Sequence, residues 1–154
     1  ERNFLFRIST AEVELEESDF TSLPDYNRLI ASVSGTMRLA HGANGSEKLV
    51  LPRSTVYAFD GGIQTHCVGK ARDLNLMLRK GAAEGELVFV DSGTELDLEP
   101  AANETMLLFE LESGNAALCA GGNARLRCTA NGQCALFTVR LVGEAIPDSD
   151  NRNG

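Results

Sequence analysis

The chain holds only two histidines, His41 and His66, in 154 residues, and that scarcity removes much of the chemistry open to a small protein. An imidazole-based metal site needs several such rings at one place, and a zinc site built on cysteine needs closely paired thiols. The four cysteines, Cys67, Cys119, Cys128 and Cys134, form no C-x-x-C pair, so neither a metal nor any other cofactor is expected. There is no Gly-x-Ser-x-Gly elbow, and neither histidine has an obvious Ser or Asp context for a nucleophile–base pair. The glycines near 42–45 and 121–122 lack the strand-to-helix setting and the lysine of a phosphate-cradling loop. Basic charge is short as well: 14 Lys and Arg against 22 Asp and Glu leave a net charge of −8. Such a surface repels phosphate backbones and anionic lipid, which excludes nucleic acid as a partner. No apolar run approaches the roughly 20 residues that span a bilayer, and Glu1-Arg2-Asn3 is no prelude to a signal segment. The expectation is a cytoplasmic protein with no membrane partner. The first residue is not methionine, as in a processed or trimmed form.

What the chain does have is alternation. With 43% hydrophobic residues it can bury a substantial core within one domain. Its clearest run is Arg72-Asp73-Leu74-Asn75-Leu76-Met77-Leu78-Arg79-Lys80-Gly81. Successive side chains of a strand leave on opposite faces, so one face is leucine and the other presents Asp73, Asn75, Met77 and Arg79. That second face is too polar for an ordinary core and reads as the wall of a partly polar pocket. The same period of two recurs at 4–9, 11–16, 28–33, 36–39, 48–51, 55–59, 64–68, 86–90, 95–98, 105–111, 124–128 and 134–142. Many short strands at close spacing predict an all-β sandwich or barrel of antiparallel strands with little helix. Residues 115–120 are the single candidate helical turn, and the glycine-rich stretch 41–46, His41 included, reads as a loop. Residues 1–147 are expected to form a single compact domain of two similar β units with a seam near 81–85, followed by a polar, frayed tail at 148–154.

Ala130-Asn131-Gly132, between Cys128 and Cys134, is a hairpin signal with two registers. A two-residue loop places Thr129 opposite Cys134, whereas a three-residue loop places Cys128 opposite Cys134 and allows a cross-strand disulfide. Free buried thiols are the preferred alternative.

Arg7-Ile8-Ser9, Ala11, Val13, Asp19-Phe20, Leu23-Pro24, Tyr26-Asn27-Arg28, Gly35 and the run from Asp73 to Gly81 resemble the successive motifs of the HutD/Ves family. The likeness is good over roughly the first 80 residues and persists beyond them only as strand rhythm. It implies a cupin fold, as a double barrel (bicupin) in one chain. For the histidine-utilisation members it implies restraint of the pathway by binding an intermediate such as urocanate. The family's Lys-Asn-Gly-Gly-Gly segment before the position of Arg7 is absent, and with it one wall of any pocket it would supply. Metal-binding cupins carry two histidines one residue apart, then a carboxylate and a later histidine. The matching stretch 61–68 holds only His66, which reads as a pocket or sheet histidine.

The residues suggest a ligand site. Arg28 heads one apolar strand and Arg79 ends another, and two arginines converging on a barrel mouth would hold a small carboxylate through their planar forks of donors. Hydrogen bonds to charged groups contribute about 1.5–3 kcal/mol each, enough with stacking for micromolar affinity. The plain alternative is two strand-end arginines with packed stems and solvated heads. Asn75 would orient the ligand or be a satisfied polar core residue. Phe59 and Met77 would form the walls, although Met77 alone is most simply core. Asp73 reads as the counter-charge to Arg72 or another basic group. The resulting expectation is a non-catalytic, metal-free protein that senses or restrains a small anionic metabolite. Its alternatives are an isomerase or hydrolase using His66 as acid or base, and a stress-related interaction module with a vestigial pocket. Exposed edge strands leave a homodimer open.

Overall fold

Alternation of apolar and polar residues is realised as antiparallel β structure throughout the computed structural model, which describes residues 3–14, 16–45 and 47–143. Fourteen strands follow one another among the described residues, with no helix. The first eight are β1 (Phe6–Val13), β2 (Glu17–Asp19), β3 (Tyr26–Ser34), β4 (Met37–His41), β5 (Glu47–Leu51), β6 (Val56–Asp60), β7 (Thr65–Val68) and β8 (Ala71–Arg79). The remaining six are β9 (Ala83–Val90), β10 (Glu95–Leu98), β11 (Glu104–Glu110), β12 (Ala116–Ala120), β13 (Leu126–Thr129) and β14 (Cys134–Leu141). Among the described residues no helix is long and apolar enough to cross a membrane. The tail expected at 148–154 lies outside the described residues.

The strands form four sheets, in the orders β1-β8-β3-β6, β2-β7-β4-β5, β12-β11-β14-β9 and β10-β13. The first two sheets use β1 to β8 and the last two β9 to β14, an arrangement compatible with two cupin-like barrels. Three apolar clusters hold them together. Ile30, Met37, Leu39, Leu51, Phe59 and Cys67 fill the space between the first two sheets, and Val90, Leu98, Leu108 and Cys134 fill the space between the other two. The third cluster lies between the halves: Ala31, Leu74, Leu76 and Leu78 from one side meet Leu87, Ala135, Phe137 and Val139 from the other.

The leucine face of β8 therefore packs on the second half, and its polar face looks into the first. The residues at 115–120 pair as strand β12 with β11 rather than turning as a helix, because Ala117 and Cys119 find cross-strand partners in Leu108 and Met106. The expected hairpin around Asn131-Gly132 does not form either. Strand β13 pairs with β10 and β14 with β11 and β9, so Cys128 and Cys134 belong to different sheets, and all four thiols are free. His41 is the buried last residue of β4, not a loop residue.

Candidate functional site

Register decides which side chains meet on the inner face of the β1-β8-β3-β6 sheet, because directly opposed residues of neighbouring strands share a face. Met77 on β8 lies opposite Arg7 on β1 and Arg28 on β3, and Arg28 lies opposite Phe59 on β6. The next row inward is Ser9, Asn75, Ile30 and Tyr57, and Asp73 follows between Ala11 and Ser32. A cavity of about 290 Å³ opens over these rows. Arg7, Arg28, Asp73, Asn75 and Met77 line it from the sheet, and Phe20, Thr21 and Leu23 close it from the segment that follows β2.

Arg28 is the centre of this wall. It is 6% exposed, and its guanidinium lies 4.9 Å from the Phe20 ring centroid and 5.4 Å from that of Phe59. Cation–π attraction of this kind contributes about 0.5–2 kcal/mol, more where water is excluded. Nη2 donates to Asn75 Oδ1 at 2.9 Å, and Asn75 Nδ2 donates to Asp73 Oδ1 at 2.8 Å. One amide thus spaces a buried cation from a buried carboxylate. The Nε–H of Arg28 is buried with no partner among the described residues. Burial lowers the Arg28 pKa against the opposing attraction of Asp73. Burial likewise pushes the Asp73 carboxyl up to about 6, outweighing the Ala11 backbone N–H, the Arg28 charge and the Asn75 amide.

Local sequence explains why Arg28 sits where it does. Leu23-Pro24-Asp25 turns the chain into β3, and this turn is tied to Gly61 by Leu23 N–H to Gly61 O (2.6 Å) and Gly61 N–H to Tyr26 O (2.8 Å). A Cβ at Gly61 would lie 2.6 Å from Tyr26 O and 3.3 Å from Arg28 Cγ, so only glycine permits this approach.

The expected site residues divide. Arg28, Asn75 and Met77 line the cavity, and Phe59 supports Arg28 from the apolar side. Arg79 does not converge with Arg28. It pairs in register with Tyr26, lies 6.0 Å over that ring and donates from Nη1 to Asn3 Oδ1 at 2.6 Å. The second arginine of the cavity is Arg7, which sequence reasoning used as a family motif but not as a site residue. Its signal was present in the alternation of Arg7, Ser9 and Ala11 against Phe6 and Ile8. Asp73 does not serve Arg72, which points to the other face, over Phe109 (5.8 Å) and toward Leu111 O (3.1 Å).

His66 also lies apart. Its neighbour Cys67 is fully buried between the sheets, which turns His66 to the outer face of β7. There its side chain is 40% exposed, with Nδ1 2.8 Å from Asp19 Oδ1 and Nε2 3.8 Å from Glu17 Oε2. The imidazole borders a separate outer groove of about 590 Å³ with Arg38, Lys48 and Val50. His41 is the interior histidine, held between Thr65 Oγ1 and Tyr57 Oη at 2.8 Å each. No cluster of three or more His, Cys, Asp or Glu suited to a metal ion occurs among the described residues.

Comparison with known proteins places this geometry. Residues 1–140 match the HutD family model. The fold superimposes with a TM-score of 0.73 on HutD from Pseudomonas fluorescens SBW25 in a formate condition, at 24% identity over 91% of this chain and 81% of that one. PA5104 from Pseudomonas aeruginosa PAO1, a conserved protein of unknown function, gives 0.71 at 29% identity over 90% and 82%. A cupin 2 conserved barrel domain protein from Leptotrichia buccalis gives 0.50 at 7% identity over 88% and 89%, a likeness of fold alone. Among curated proteins none matches significantly. The chain belongs to the HutD family, a histidine-utilisation-related group with a cupin-like fold.

Proposed function

We propose that this protein binds a small carboxylate metabolite in the cavity at Arg28 and restrains or senses its pool in the cytoplasm without transforming it. The observation that carries this reading is Arg28 itself: buried between Phe20 and Phe59, beside a cavity, with a donor that no group among the described residues satisfies. A buried donor without a partner costs about 1–3 kcal/mol, and more when charged. A carboxylate seated in the cavity would bring two acceptors to the guanidinium fork. Arg7, in the same row across Met77, adds a second positive charge at the mouth. Metabolites of histidine breakdown, urocanate among them, are the acids to try first, and the formate condition of the Pseudomonas fluorescens HutD structure makes formate a natural minimal probe.

Thermal-shift and calorimetric titration with urocanate and formate test the reading. Saturation at a hundredfold excess over Kd stabilises the fold by about 2.7 kcal/mol, which raises the melting temperature measurably. Arg28→Met should abolish the shift, and Arg28→Lys, which keeps the charge and loses the fork, should weaken it. Absence of any shift with millimolar acids, or a shift undiminished in both variants, refutes it. A catalytic reading centred on His66 would place the substrate on the outer face of the β2-β7-β4-β5 sheet. Turnover lost in His66→Ala with binding at Arg28 intact would favour it.

A further inference from the structure

We propose that Asp73 sets the ligand class of the arginine cavity, selecting acids that also carry an N–H donor over carboxylates of the same shape that lack one. This rests on the carboxylate-binding reading above and names what that reading leaves open.

The argument begins from an apparent contradiction in the wall. A site for anions gains from excluding negative charge, yet Asp73, 2% exposed, lines the same cavity as Arg7 and Arg28. Its carboxylate is not neutralised by direct pairing with Arg28. The Asn75 amide stands between them, its oxygen accepting from Arg28 and its nitrogen donating to Asp73. Both ends of the amide are thus committed, which fixes its orientation and holds the two charges at a set spacing along β8 and β3.

An ionised carboxylate offers about four acceptor positions. Asn75 Nδ2 and the Ala11 backbone N–H use two of them, so acceptor capacity remains. Along the sheet wall the cavity therefore presents donors at the Arg7–Arg28 end and a buried acceptor at the Asp73 end, while the other lining carboxylate, Asp19, is exposed, with Oδ1 2.8 Å from His66 Nδ1. A ligand with a carboxylate at one end and an N–H at the other matches that polarity. A simple acid of equal size instead brings its negative charge beside an acceptor it cannot satisfy, and sites that expect a hydrogen bond discriminate strongly against ligands that lack it.

Isosteric probes isolate the effect. Pyrrole-3-carboxylate and furan-3-carboxylate differ by an N–H in place of a ring oxygen, and calorimetric titration of both into the wild-type chain and Asp73→Asn reads the preference directly. The wild type should bind the pyrrole acid about tenfold or more tighter than the furan acid. In Asp73→Asn the ratio should collapse toward unity, with the furan acid gaining affinity as the opposing charge is removed. Equal binding of both acids by the wild type, or a preference that survives in Asp73→Asn, overturns the role of Asp73 and leaves carboxylate binding standing. Failure of both acids to bind the wild type overturns both readings together. Should Asp73→Asn not fold, 1-methylpyrrole-3-carboxylate on the wild type decides: it should bind no better than the furan acid, and binding equal to the pyrrole acid refutes the proposal.

Discussion

Replacing Asp73 by Asn should change how stability depends on pH, and the sign follows from the site. In the folded chain the Asp73 carboxyl is pushed up to about 6 from an ordinary 3.8, because burial disfavours its charge more than Ala11, Arg28 and Asn75 favour it. Between these two values the folded state holds a proton that the unfolded state has released. Above about pH 6 the ionised carboxylate therefore costs stability, and the cost is relieved as the pH falls from about 6 to about 4. A difference of about two pKa units corresponds to about 3 kcal/mol at most. Asn75 can still donate to an Asn side-chain oxygen at this position, so the variant retains that hydrogen bond while losing the titration. Urea denaturation of both proteins at several values from about pH 4 to about pH 8 gives the test. The stability of the wild type minus that of the variant should rise on acidification by up to about 3 kcal/mol. Asp60, held below the ordinary carboxylate range by Lys80, and Asp97, held there by Arg125, lose stability in acid, but both proteins share them and the subtraction removes them. A difference that stays flat, or falls on acidification, would show that Ala11, Arg28 and Asn75 together match or outweigh burial and would refute the reasoning.

Tyr57→Phe should remove the partner of His41 Nε2 inside the first half and lower stability by about 1–3 kcal/mol, read as a shifted urea midpoint with an unchanged slope. Phe137→Ala, at a fully buried position between the halves, should cost about 3–5 kcal/mol in calorimetry. Thiol labelling of the native protein should modify half-buried Cys128 first. Cys67, whose thiol is pushed up to about 11 by burial and by Asp73, should stay unmodified until the chain unfolds. Gly61→Ala should weaken the binding of small acids as well as the fold, because the added carbon strikes Tyr26 O and crowds Arg28; calorimetric titration that finds wild-type affinity in a folded variant would contradict this.

Much of the first half was legible because a strand encodes its two faces directly. The run from Arg72 to Gly81 separates leucines from polar groups in sequence as it does in space, and Asn75 beside Arg28 follows once β8 and β3 are neighbours. What alternation does not encode is neighbourhood. Arg7 joins the cavity because β1 pairs with β8 across more than sixty residues of chain, and Arg79 leaves it because Tyr26 stands opposite. Composition misled at three places for the same reason. Alanine and leucine at 116–118 favour a helix locally, but β11 offers that segment a ladder. Asn131-Gly132 favours a tight hairpin, but the flanking strands find partners in separate sheets. The glycines after His41 suggest a loop around it, but Thr65 and Tyr57 draw the imidazole inward.

Strand β8 serves two masters, since Leu74, Leu76 and Leu78 rest on the second half while Asp73, Asn75 and Met77 face the hollow. A fragment cut after Lys80 would turn a slab of hydrocarbon toward water and clump before it could show what it recognises. The recognition surface is for that reason not portable: grafting it elsewhere means carrying a whole companion sheet along, or repainting three leucines without bending the backbone that aims their neighbours.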